Sequence, residues 1–368
     1  MMKTFRFDEI AYNSTQKVKP TEADKEHYIG LEHIDGECLY ISRWGSDVAP
    51  IGEKLVMRKG DILFGKRRAY QRKVAIAPID GIFSAHGLVL RPKEDVVDKD
   101  YFPFFMSSNQ FLDRAVQISV GGLSPTINWK DLARQEFTLP SLSEQKVLAD
   151  KLWAAYRVKE SYKKLLAATD DMLKAKFMEM FGEEEKNGRI ADLVCGEIMS
   201  VKKTYKPEDI VSYIDISSVN AETNRIIGIT DYIVKSAPSR AQQCVQYGDI
   251  LVSTTRPMNR NIAIVHSKTK NLVASTGFCV LRPKEGYSDY LMTIVKSNEY
   301  TMAMCDKATG GVYPAVNNSD VLSYRIVIPT EKILTKISNI YTQAEATKES
   351  LRKSIENIDQ VIKSLINQ

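Results

Sequence analysis

Apolar residues recur every seven positions near the end of the chain, at Ile337, Ala344, Leu351, Ile358 and Leu365. Tyr341, Ile355 and Ile362 fill the companion positions four residues further on, and Lys348 is the one charge in that series. A heptad kept over about four repeats predicts a coiled-coil helix over 331–366. The same register stands 189 residues earlier, at Leu148, Leu152, Ala155, Tyr162, Leu166, Thr169 and Leu173, and there Lys159 takes the place of Lys348. That pattern predicts a second such helix over 143–181. Ser141-Leu-Ser-Glu144 offers a capping box at its start, and Gly182 with the polar stretch that follows closes it.

Ahead of each helix the pattern changes. Short apolar runs such as Ile62-Leu-Phe64, Val74-Ala-Ile-Ala-Pro-Ile79 and Gly87-Leu-Val-Leu-Arg-Pro92 are bounded by Gly, Pro and Asp, which predicts β-strands joined by tight turns. Residues 101–118 have the spacing and length of one helix. A Gly-Gly loop follows, then a helical segment over 128–134 and a strand ending at Pro140.

This order is written twice. The stretch GGLSPTINWKDLARQEFTLP (121–140) aligns with GGVYPAVNNSDVLSYRIVIP (310–329), with six identical residues at one offset of 189. Gly60-Asp61 matches Gly248-Asp249, LRPKE stands at both 90–94 and 281–285, and SSNQF (107–111) answers KSNEY (296–300). A period this long is too great for a solenoid and implies two copies of one domain. The fold class is therefore mixed α and β, with domains at 1–142 and 183–330, each followed by a long helix, at 143–182 and 331–368. Two helices in one register are expected to pair with each other rather than each on its own domain. The connection makes the pair antiparallel in a pseudo-two-fold molecule.

Composition adds limits. The chain of 368 residues suggests about two domains, and 43% hydrophobic with 26% charged residues describes an ordinary globular protein. The first residues carry no long apolar run, so neither a signal peptide nor a membrane span is expected there. Five scattered cysteines without a C-x-x-C pair suggest reduced thiols in a cytoplasm. A net charge of +5 permits a polyanionic partner without requiring one.

Placement of charge says more. KRRAYQRK (66–73) follows a strand and gathers Lys66, Arg67, Arg68, Arg72 and Lys73 around Tyr70 and Gln71, with Lys54, Arg58 and Lys59 close in sequence. Such residues neutralise phosphates or pair with base edges; the alternative is a solvated basic turn. The second copy keeps the frame but reads Thr254, Thr255, Arg256, Asn259, Arg260 and Asn261 there. One scaffold with two sets of polar tip residues is what reading two DNA sequences requires. The Gly-Gly loops also differ, Leu123-Ser124 against Val312-Tyr313, which makes Ser124 and Tyr313 secondary candidates; a plain tight turn is the alternative. No phosphate-binding loop, nucleophile elbow, zinc-protease motif or dinucleotide fingerprint occurs, so no catalytic or metal-binding residue is assigned.

The doubled order of G-D-I-L, L-R-P, the Gly-Gly loop with its proline, and Leu139-Pro-x-Leu-x-Glu-Gln145 resembles the specificity subunits of Type I restriction–modification systems. The second copy departs from it, reading IPTEKI (328–333) without the Glu-Gln. The resemblance implies two target-recognition domains, each reading half of a bipartite site in double-stranded DNA, with the helices as spacer. It also implies partners: methylation subunits, normally two, which carry S-adenosylmethionine, and a motor–nuclease subunit using ATP and Mg. This chain itself would hold no cofactor and would work in a prokaryotic cytoplasm. A stand-alone DNA-binding regulator and a coiled-coil scaffold are the other readings. Neighbouring genes for a methyltransferase and an ATP-driven endonuclease would separate them from the first.

Overall fold

The computed structural model describes every residue except Met1, Glu183, Val312 and Gln368. It falls into two compact units, residues 1–164 with 351–368, and residues 165–350. Both cuts fall inside a long helix, Leu142–Phe181 or Glu331–Ile366, so each unit holds part of both.

In the first unit, Ile62–Phe64 lies between Leu88–Pro92 and Val74–Ile76, and Ala11–Ser14 extends the sheet beyond Leu88–Pro92. Every residue of Ile62-Leu-Phe64 is apolar because both faces of this sheet are covered. Ile62 and Phe64 point into a core with Phe7, Phe105, Phe111 and Phe137. Leu63 points the other way, into a smaller core with Ile29, Leu55, Met57 and Phe83. That second core is walled by Lys17–Val18, Lys54–Met57, Gly81–Phe83 and Tyr28–Ile29. Lys3–Arg6 pairs antiparallel with Glu136–Leu139, so the strand that ends the domain also closes its beginning.

The second unit repeats the plan. Ile250–Ser253 pairs with Ile262–Ile264 and Phe278–Leu281. Ile250 and Val252 face one core while Leu251 faces the other. The repeated G-D and L-R-P motifs prove to be one device. Asp61 accepts from Nε and Nη2 of Arg91 at 2.7 and 2.9 Å, and Asp249 from the same atoms of Arg282 at 2.9 and 2.8 Å. Asp61 and Asp249 are buried, and such a carboxylate needs this bidentate partner.

One expectation is corrected. Residues 101–118 form two helices, Phe102–Ser107 and Asn109–Gln117. Ser108 is extended, with ψ of 153°, and its hydroxyl accepts from the Phe111 N–H, capping the second helix; Ser297 does the same for Tyr300. A serine at that spot competes with continued helix for the backbone donors.

The helices pair antiparallel within each unit. In the first, Leu148, Leu152 and Tyr156 pack with Ile358, Ile362 and Leu365, and Val147 and Leu148 lie by Leu365 and Ile366. In the second, Phe177 and Phe181 share a core with Ile337 and Tyr341. Ser141 caps the first helix as the sequence suggests, its N–H donating to Glu144 Oε2 at 2.9 Å and its hydroxyl accepting from the Glu144 N–H at 3.4 Å. Among the described residues no helix is long and apolar enough to cross a membrane.

Candidate nucleic-acid interface

The two basic tips have one backbone. Ala69–Gln71 and Pro257–Asn259 are each a single 3₁₀ turn flanked by arginines in the left-handed region. The φ values are 57° and 51° at Arg68 and Arg72, and 48° and 52° at Arg256 and Arg260. A non-glycine residue there costs roughly 1–2 kcal/mol. Four such residues at matching places persist because the frame imposes them.

That frame is the Gly-Gly loop. The Arg68 N–H donates to the Pro125 carbonyl and the Arg256 N–H to the Pro314 carbonyl, both at 2.7 Å. Ile127 N–H donates to Lys66 O at 3.0 Å, and Val316 N–H to Thr254 O at 2.9 Å. The sequence singled out tip and loop separately; the fold joins them. All these bonds are main-chain, so the side chains they carry are free to differ.

They do differ. Arg68 donates from Nε to Ser124 Oγ at 3.2 Å, whereas the Arg256 guanidinium lies 4.4 Å above the centre of the Tyr313 ring. Tyr70 and Tyr313 are 55% and 66% exposed, and Gln71 and Asn259 also face solvent. Arg67 and Thr255 are half-buried at the base of the tips. Val312 lies outside the described residues.

Other candidates are turned inward. Arg72 reaches back to Asn109 Oδ1 at 2.8 Å and Asp113 Oδ1 at 2.9 Å, and Arg260 to Asn298 Oδ1 at 2.8 Å. Lys73 donates to Leu31 O at 2.6 Å, Asn261 to Val219 O at 3.0 Å, and Thr254 to Gly277 O at 3.0 Å. These five side chains hold the tips to the domain. Burial pushes the Lys66 ammonium down from its ordinary pKa, with the charge of Lys17 adding to it. Burial likewise lowers His86, beside Arg67, Lys66 and Lys54, so the imidazole leaves the cluster's charge to the lysines and arginines near neutral pH. Arg58 and Lys59 precede Ile62–Phe64 and so lie at its other end from Lys66, while Lys54 Nζ donates to the Gly52 carbonyl. The basic residues close in sequence are thus divided in space, with Arg58 and Lys59 away from the tip and Lys54 beside His86 together with Lys66 and Arg67. Leu123, 97% exposed, and Met258, 58% exposed, stand on the same loops. Composition gave no reason to choose them, because apolar residues read as core.

A family model described as the Type I restriction modification DNA specificity domain matches residues 5–168 and again 183–360. The chain belongs to this family. As a member with two copies of that domain, it is similar to the Type I restriction enzyme HindI specificity subunit of Haemophilus influenzae, 29% identical over 136 residues, which are 36% of this chain and 30% of that protein. It is also similar to the Type I restriction enzyme EcoDI specificity subunit of Escherichia coli, 26% identical over 201 residues, 52% of this chain and 45% of that one. The chain thus spans less than half the length of either relative. Two solved structures share the specificity-domain fold. One is the Type I restriction–modification S subunit from M. genitalium, at TM-score 0.54 and 12% identity, covering 100% of this chain and 95% of that one. The other comes from a study of assembly and conformational transition of the type I R-M system, at TM-score 0.53 and 18% identity, covering 99% and 96%.

Proposed function

We propose that this chain is the non-catalytic DNA-reading subunit of a Type I restriction–modification system, in which each domain recognises one half of a bipartite site. One observation carries this reading: the tips at 66–73 and 254–261 share their main-chain bonds with the Gly-Gly loops, yet present Arg-Tyr-Gln in one copy and Arg-Met-Asn in the other. A scaffold built for phosphate contact alone has no need to vary the tip, since phosphates carry no sequence. Partner subunits, two for methylation with S-adenosylmethionine and one for ATP- and Mg-dependent cleavage, supply the chemistry in a prokaryotic cytoplasm.

A domain exchange tests it. Replacing residues 1–140 with those of a relative of different specificity, then reading the methylated motif in the host genome, should change one half of the site and leave the other. A motif changed in both halves, or no methylation dependent on this chain, would overturn it.

A further inference from the structure

We infer that the residue before the loop proline, Ser124 in one domain and Tyr313 in the other, sets the orientation of the tip arginine, and that Arg68 and Arg256 each read a guanine. This rests on the DNA-reading function proposed above and assigns its specificity-determining pair. Three observations converge on it. Both arginines are held at positive φ, with the N–H fixed on the loop proline, so their Cα–Cβ bonds start from one fixed direction. Both side chains meet the residue just before that proline, although the chemistry of the contact differs. And both contacts spare the same part of the guanidinium.

Ser124 accepts from Nε of Arg68, at the inner edge of the fork. Tyr313 covers a face of the Arg256 guanidinium, leaving its whole edge open. In either case the two terminal amino groups are left unused, and among the described residues neither has a protein partner. Two parallel N–H donors in a fixed plane match the O6 and N7 acceptors of guanine in the major groove, a pattern no other base offers there. A guanidinium swinging freely would meet a phosphate equally well. One pinned by a neighbour has lost that freedom before DNA arrives, which favours directional readout. Arg72 and Arg260 supply the contrast within the same turns, because their guanidinium groups are already spent on Asn109, Asp113 and Asn298.

The test is selection of bound duplexes from a random library by the full chain, purified with whatever it assembles with in its host. Arg256→Lys, Tyr313→Ala and Tyr313→Phe are compared with the native chain. The native motif should contain a guanine in each half. Arg256→Lys and Tyr313→Ala should each lower the preference for one of them roughly tenfold, and Tyr313→Phe, which keeps the aromatic face, should restore it. Arg68→Lys and Ser124→Ala should act on the other half alone. Placing 7-deazaguanine at the affected position, which removes the N7 acceptor, should weaken native binding and leave Arg256→Lys unaffected. A native chain that selects no motif overturns the DNA-reading function itself. A native motif that Arg256→Lys or Tyr313→Ala leaves unchanged overturns only the arginine–loop pairing.

Discussion

Lys348 donates to Asp170 across the helix pair at 2.9 Å, and Lys159 to Asp359 at 2.5 Å. These are one pair written twice, since Lys159 and Lys348, like Asp170 and Asp359, stand 189 residues apart. The charge that interrupts the heptad therefore has a partner on the opposite helix, which itself bears the mirror charge. Lys348 is only 2% exposed, and Glu345 lies 2.5 Å from the same ammonium. A buried lysine in an apolar seam penalises every register in which it misses its carboxylate.

Asp170→Ala should therefore destabilise the second unit by about 1–2 kcal/mol in denaturant unfolding, discounted because Asp170 is itself partly exposed. Lys348→Met combined with Asp170→Ala should cost less than Asp170→Ala alone, since it removes the buried ammonium along with its partner. Asp170→Ala leaving stability unchanged would show that the ammonium has other adequate partners.

Deleting residues after Ser350 should unfold the first unit while sparing the second, although the deleted segment follows the second domain in sequence. Ile358, Ile362, Leu365 and Ile366 pack into the core of the first unit. Their loss should cost it about 4 kcal/mol or more. Hydrogen exchange read by mass spectrometry should show protection lost at Ile62–Phe64 and Leu88–Pro92 and kept at Ile250–Ser253. Equal loss in both would mean that the two cores do not melt separately.

Arg67 and Arg72 should separate cleanly by substitution. Arg72→Ala should lower thermal stability by breaking its bonds to Asn109 and Asp113, worth about 1 kcal/mol on an exposed surface. Arg67→Ala should leave melting unchanged and lower the slope of DNA affinity against salt by about one. Both quantities come from one melting scan and one salt titration per variant.

The Glu144 carboxyl should titrate at about 2 rather than in the usual carboxylate range, because the Ser141 hydroxyl and then its backbone N–H donate to it. Its folded pKa is depressed, so its contribution to holding the helix start is present above the unfolded value near 4.3 and fades as pH falls towards 2. Ser141→Ala, which removes the hydroxyl but keeps the backbone donor, should raise the titration only part of the way to the usual carboxylate range, as followed by carboxyl carbon NMR.

Much of this was open to sequence reading for a simple physical reason. Heptads report one uninterrupted helix, and Leu142–Phe181 and Glu331–Ile366 begin within a residue of where the periodicity places them. Ser108 broke the expected helix of 101–118 because one side-chain hydroxyl decides between cap and continuation, which a hydrophobic pattern does not register. The tips were legible as basic but not as directed. Arg68 and Arg72 lie four residues apart with the same backbone conformation, yet one turns to the Gly-Gly loop and the other to the helix behind. That choice belongs to neighbours from 109–124, which no local window contains.

The placement of 351–366 in the first unit bears on how such a gene can change by recombination. An exchange confined to the codons for residues 1–140 imports a new first domain but keeps the resident Ile358, Ile362 and Leu365 against it. The incoming segment must therefore arrive with an underside already fitted to the old partner. Inheritance of a new half is permissive at the outward side chains of the tip, which the main-chain frame ignores, and strict along the seam. If the proposed function holds, variants that exchange this half should differ freely at the outward side chains of the tips and stay nearly fixed where the borrowed domain rests on residues it did not bring with it.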